Sequence, residues 1–183
     1  MGNISTPYPR IALIGFRGVG KSTVGKILAK KMRIRYVSLD EYIEKKTKST
    51  ITDLVAEKGW KEFRNKESEA LRFFSNRPGV LLDTGGGIME DENGELSEKK
   101  FQILKNCYFC VYLYMQDHLL LQRLSDAQPS AHRPALVADD LQEVLNKRKP
   151  WYEKLAQMAI GIDRMTPGEI AHRIIRKVKY IKL

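Results

Sequence analysis

The sequence predicts an α/β fold: a doubly wound parallel five-stranded sheet with helices on both faces. Three observations carry this. Short apolar runs alternate with helical stretches, a glycine-rich loop joins the first run to the first helix, and the composition suits one globular unit. Strands alternating with helices call for crossover connections and a parallel sheet. The 183 residues match a single domain, expected to span 1–183. With 43% hydrophobic and 30% charged residues, a long disordered chain is excluded. No apolar run reaches the roughly 18–20 residues of a membrane span. The N-terminus turns polar and proline-bearing at once, so no secretory signal is expected. Two cysteines make no disulfide framework, and a reducing, cytoplasmic location is the expectation.

The elements follow in order. Residues 10–14 are apolar and β-branched and end at Gly15, as a buried parallel strand should. Residues 21–33 place Val24, Ile27, Leu28 and Met32 at helical spacing. Residues 36–39 form a second short strand. From 41 to 76 the pattern is helical, with a break around Lys58-Gly59-Trp60. Pro78-Gly79 is a turn signal before a third strand at 80–83. Residues 107–115 are the longest β-like run, and a helix follows near 117–125. A polar, proline-bearing stretch covers 127–140. Residues 141–157 are helical, 158–162 make a weak strand, and Pro167 opens a last helix.

Gly15-Phe16-Arg17-Gly18-Val19-Gly20-Lys21-Ser22-Thr23 matches the phosphate-loop pattern G-x-x-x-x-G-K-[ST], between a strand and a helix as that motif requires. Such a loop turns successive backbone N–H groups inward as an anion nest, and the following helix adds its positive end. Gly15, Gly18, Val19, Gly20, Lys21, Ser22 and Thr23 are the candidate ATP-binding residues. Lys21 is set to reach the β- and γ-phosphates, and the Ser22 hydroxyl to coordinate Mg²⁺. A nucleoside triphosphate is therefore an expected ligand. Switches, motors and small-molecule kinases all use this loop, so the reaction must be read elsewhere.

Further motifs follow in series: Ser38-Leu39-Asp40-Glu41-Tyr42-Ile43-Glu44, Gly59-Trp60-Lys61-Glu62-Phe63-Arg64, Thr84-Gly85-Gly86-Gly87, Arg133-Pro134, and Lys147-Arg148-Lys149-Pro150-Trp151-Tyr152. Together, behind the phosphate loop, they resemble shikimate kinase from about residue 10 to residue 180. The resemblance implies a P-loop, nucleoside monophosphate kinase-like fold with a lid near 127–140. It also implies ATP- and Mg²⁺-dependent phosphorylation of the shikimate 3-hydroxyl. Arg64 and Arg148 would clamp the substrate carboxylate, for which planar guanidinium forks are suited. Asp40 would contact the ring hydroxyls and orient or deprotonate the attacking one. Its competing role is the N-cap of the helix that follows. Gly86 would contact shikimate through its backbone, and Arg133 would close over the γ-phosphate from the lid. Lys21, Asp40 and Arg133 are thus the catalytic candidates.

The clearest departure from the family pattern is at Ser38. Ser38 stands where an aspartate usually helps hold the metal shell through water. Asp83, at the end of the third strand, is a candidate replacement; the alternative is an Asp hydrogen-bonded to loop amides. Around the adenine, Pro167 fits a family position, Arg164 lies near another, and residues 126–130 lack the usual arginine.

Other signals carry less. Cys107 and Cys110 have C-x-x-C spacing, but in a β-like run residues three apart face opposite sides, and no second pair completes a zinc site. The basic stretch 173–179 reads as a solvated face of an amphipathic helix. The net charge of +10, from 32 Lys and Arg against 22 Asp and Glu, calls for an anionic partner. Small anions, ATP and shikimate, meet that need without nucleic acid or membrane, and a monomer is expected. The competing readings are a kinase of another hydroxylated acid such as gluconate, a catalytically weak ligand-binding relative, and nucleic-acid association through the basic surface.

Overall fold

The computed structural model describes residues 9–126 and 141–179. Five parallel strands make one sheet: β1 (Ile11–Ile14), β2 (Arg35–Ser38), β3 (Val80–Asp83), β4 (Phe109–Tyr114) and β5 (Met158–Gly161). Their order is β2-β3-β1-β4-β5, so the phosphate-loop strand lies at the centre. Alternation along β1 divides the core. Ile11 and Leu13 face one apolar cluster, and Ala12 and Ile14 face the other.

On the Ile11 side lie α1 (Lys21–Met32), α5 (Asp117–Ser125) and α7 (Pro167–Val178). On the opposite side lie α2 (Leu39–Thr47), α3 (Ile51–Ser75) and α4 (Glu98–Cys107). Helix α6 (Leu141–Leu155) serves both, with Leu141 and Leu145 in the first cluster and Tyr152 and Leu155 in the second. The basic end of the chain does form the amphipathic helix expected of it. In α7, Ile170, Ala171, Ile174 and Val178 are buried, while Arg173 and Lys177 stay outside.

Two expectations are corrected and one holds. The stretch 41–76 is two helices, because Lys48 takes a left-handed conformation (φ 55°) and the Thr50 side chain caps α3 by accepting from Asp53 N. The break foreseen at Gly59 is present inside α3, at φ 76° and ψ 169°. Residues 98–107 are helical where no element was foreseen, so Cys107 ends α4 and only Cys110 lies in a strand. Both cysteines are free, and burial pushes the Cys110 thiol up to about 12. No described helix is long and apolar enough to cross a membrane.

Candidate active site

Strands β1, β2 and β3 all end at one edge of the sheet, and the functional segments begin there. This is where open α/β sheets bind ligands. The phosphate loop turns out of β1 at Gly15 (φ 138°), where a Cβ would sit 2.3 Å from the Leu113 carbonyl oxygen. Only glycine fits there. Lys21 is buried and curls back, its Nζ donating to the carbonyls of Gly15 (2.8 Å) and Phe16 (2.9 Å). Its ammonium thus stands over the loop that would hold phosphate. Ser22 and Thr23, next along, are exposed.

Asp83 ends β3 in register with Leu13 on one side and Ser38 on the other. Its Oδ2 accepts a hydrogen bond from the Tyr36 hydroxyl at 2.8 Å, and Ser22 touches the same hydroxyl. Burial, then the Asp83 charge, pushes the Tyr36 hydroxyl well above its ordinary range, so it stays a donor. Tyr36 was not singled out from the sequence. Ser38, meanwhile, caps α2 by accepting from Glu41 N at 3.4 Å. The helix cap is therefore Ser38 and not Asp40. An aspartate at 38 would set a second carboxylate directly beside Asp83, and like charges so paired repel.

The triple glycine follows β3 and is where the remaining candidates meet. A methyl group on Gly85 would lie 3.0 Å from Asp40 Oδ1. One on Gly86 would lie 3.0 Å from the Arg17 backbone N and 3.6 Å from Arg148 Nη1. One on Gly87 would lie 3.0 Å from both Arg64 Nη2 and Arg148 Nη2. The Tyr152 hydroxyl donates to the Gly86 carbonyl, tying α6 to this turn. Asp40, Arg64, Gly86 and Arg148, from four separate motifs, thus gather around one turn beside the phosphate loop. Arg133 and the expected lid lie outside the described residues.

Beneath the arginines runs a buried ionic network that sequence reasoning missed. Arg64 Nη1 donates to Glu67 Oε2 and to the Gly87 carbonyl, both at 3.0 Å. Arg64 Nη2 donates to Glu90 Oε2 at 2.7 Å. Arg148 grips Glu90 with two bonds, Nε to Oε1 at 2.6 Å and Nη2 to Oε2 at 2.7 Å. Lys100, 1% exposed, completes the set by donating to Glu67 Oε2 at 2.7 Å. Burial pulls the Lys100 ammonium below its usual range despite the Glu67 charge. Burial works most strongly against the Arg148 charge, but the Glu90 hydrogen bonds together with the charges of Tyr152, Glu90 and Glu67 outweigh it, and its pKa is raised. Three cations thus face two carboxylates, leaving one positive charge in excess. The side chain of Arg64 is further held by Trp60 and Phe63, whose ring centroids lie 5.0 and 5.3 Å from its guanidinium carbon.

On the other side of the phosphate loop, Arg123 Nη1 donates to the Gly18 carbonyl at 3.3 Å. It borders a cavity of about 450 Å³ lined also by Leu119, Gln122, Asp126 and Ile162. Arg164 and Pro167, considered for the adenine, are not among its lining residues. Among the described residues, no three His, Cys, Asp or Glu side chains gather as a metal cage.

A central strand leading into a phosphate loop, in the order 2-3-1-4-5, with two buried arginines and a triple glycine alongside, defines a P-loop small-molecule kinase. The comparisons with known proteins narrow this further. The family model for shikimate kinase matches residues 17–179. The shikimate kinase of Dictyoglomus turgidum is 35% identical over 172 residues, covering 92% of this chain and 96% of that protein. That of Sulfurihydrogenibium is 34% identical over 171 residues, covering 92% and 97%. Among solved structures, the Acinetobacter baumannii shikimate kinase in complex with shikimate aligns with a TM-score of 0.83 at 30% identity, covering 96% of each chain. The chain belongs to the shikimate kinase family.

Proposed function

We propose that this chain transfers the γ-phosphoryl group of ATP to the 3-hydroxyl of shikimate, giving shikimate 3-phosphate and ADP. The observation that carries this is the convergence of Arg64, Arg148, Asp40 and the triple glycine beside the phosphate loop. The arginine end suits a carboxylate, and the Asp40 end suits ring hydroxyls. A ring held at both ends has its attacking hydroxyl fixed in relation to the phosphate. Phosphoryl transfer asks the protein mainly for such positioning and for neutralisation of charge.

The roles follow from that geometry. The loop amides and Lys21 hold the phosphates, and Lys21 exchanges its contacts with the Gly15 and Phe16 carbonyls for phosphate oxygens. Asp40 accepts a hydrogen bond from the acceptor hydroxyl and takes its proton as the phosphorus–oxygen bond forms. Arg133, which lies outside the described residues, is assigned to the γ-phosphate by the resemblance to shikimate kinases alone. The cavity beside Arg123 receives the adenine.

Mg²⁺ bound to ATP would neutralise phosphate charge. Magnesium favours hard oxygen donors and keeps few protein ligands when phosphates supply the rest. The exposed Ser22 hydroxyl and the Asp83 carboxylate, linked through Tyr36, fit that need. Ser22 would ligate the ion and Asp83 would act on its water shell, in place of the aspartate missing at Ser38. We read the chain as a single-domain, monomeric cytoplasmic enzyme acting on small molecules alone.

The test is ADP release with shikimate, with gluconate, and with no acceptor, in parallel. Shikimate-dependent turnover is expected. Turnover with gluconate alone would replace the acceptor, and binding without turnover would make the protein a ligand-binding relative.

A further inference from the structure

The two arginines assigned to the substrate carboxylate are already holding a carboxylate, that of Glu90. The arrangement has the form expected for the ligand. Arg148 gives Glu90 a two-bonded grip through Nε and Nη2, and Arg64 adds a third bond to the same Oε2. All three residues are at most 8% exposed, so no bulk water shares the contact. Glu90 follows the triple glycine by three residues, and its Oε2 lies 2.6 Å from where a Gly87 Cβ would stand. The carboxylate therefore sits at the face of the turn to which the acceptor must come. Glu67, by contrast, is committed elsewhere, because Lys100 and Arg64 Nη1 share its Oε2.

We propose that Glu90 is a tethered stand-in for the acceptor's carboxylate, which takes over the two-arginine clamp from it, so that Glu90 determines how strongly acids bind. The inference rests on the clamp reading of Arg64 and Arg148 above. Two buried guanidinium groups meeting at one point are unfavourable without a counter-ion. Glu90 supplies one while the cleft is empty. An incoming carboxylate then competes for hydrogen-bond edges that Glu90 already fills, above all the Nε–Nη2 edge of Arg148. A neutral hydroxylated compound offers no charge to exchange for Glu90 and does not open the clamp. Selectivity for acids thus comes at a cost in affinity, set by a residue outside the shikimate kinase motifs quoted for this chain.

The consequence has opposite signs for stability and binding. Glu90→Gln keeps the shape and removes the charge. It should lower the thermal midpoint of the ligand-free protein, because two buried cations lose their partner. It should also lower the shikimate KM by about tenfold, since the substrate carboxylate no longer displaces a charged rival. The ATP KM should stay as it is. A residue with a merely structural role would weaken stability and shikimate binding together, and a raised or unchanged shikimate KM overturns the proposal. Glu90→Asp restores the charge and should return the KM toward wild type.

A second measurement needs no Glu90 variant. In the wild-type protein, the Arg148 Nε–H proton resonance, assigned by its loss in Arg148→Lys, should move on addition of shikimate as its acceptor changes. A resonance that stays fixed at saturating shikimate shows Glu90 still in place and also overturns the proposal. Wild-type protein without any shikimate turnover would instead overturn the functional reading, so the two failures are distinct.

Discussion

The two halves of the cleft hold their charges by different means. On the acceptor side, Arg64, Arg148, Lys100, Glu67 and Glu90 are all buried and all paired through side chains. On the phosphate side, Lys21 rests on backbone carbonyls, and Ser22 and Thr23 face solvent. The acceptor side holds its cations on two buried carboxylates, Glu67 and Glu90, with one formal positive charge in excess among these five residues. Under the function proposed above, both sides change partners on binding, Lys21 leaving backbone carbonyls and the two arginines leaving Glu90. Two guanidinium groups meeting in a dry pocket need counter-ions close by, and Glu67 and Glu90 supply them.

The largest effect is expected on the phosphate side. Lys21→Met should lower kcat by about 10³-fold, since it removes a charge aimed at the transferring group. Its fold should survive, because methionine keeps the apolar stem of a buried side chain whose Nζ donates to the Gly15 and Phe16 carbonyls of the loop. Steady-state rates alongside a circular dichroism melt check both points. Unchanged kcat would remove Lys21 from the chemistry.

The acceptor side should respond differently. Arg148→Lys keeps the charge but loses the planar fork, which one ammonium cannot reproduce. The shikimate KM should rise on the order of 100-fold, with the ATP KM held, as when one partner of a buried charge pair is cut short. Equal rises in both constants would mean that the two halves are not independent.

How much of this was legible in the sequence depends on distance along the chain. The strand, loop and helix from Ile11 to Met32 could be read because each signal is local. Apolar alternation, glycines and helical spacing lie within a few residues of one another. Arg64 and Arg148 could be read only through their motifs. Glu90 could not, since its partners lie 26 and 58 residues away and nothing local marks a glutamate as buried. Glu67 was within reach. It stands three residues after Arg64 on a helix, a spacing that brings side chains together. Helix α4 escaped notice because its buried positions include a lysine, Lys100, where apolar periodicity would need an apolar residue. The cap at Ser38 was missed for another reason: the helix begins at Leu39, two residues earlier than a start at Glu41, which passes the cap from Asp40 to Ser38.

A smaller effect concerns the metal edge. Asp83→Asn keeps an acceptor for the Tyr36 hydroxyl and removes the charge. The Mg²⁺ concentration for half-maximal activity should rise about tenfold, as for other residues that act on a metal through its water shell. Activity measured across a Mg²⁺ series checks this. An unchanged requirement would leave Asp83 as an anchor for Tyr36 only.

The two-sided cleft is tested most directly by comparing shikimate with its primary carboxamide as phosphoryl acceptors. The amide keeps the ring and all three hydroxyls and lacks only the charge that Arg64 and Arg148 receive. It should lose about 10³-fold or more in kcat/KM, as when a site built for hydrogen-bonded recognition meets an analogue without the group. The amide turned over as well as the acid would contradict the clamp.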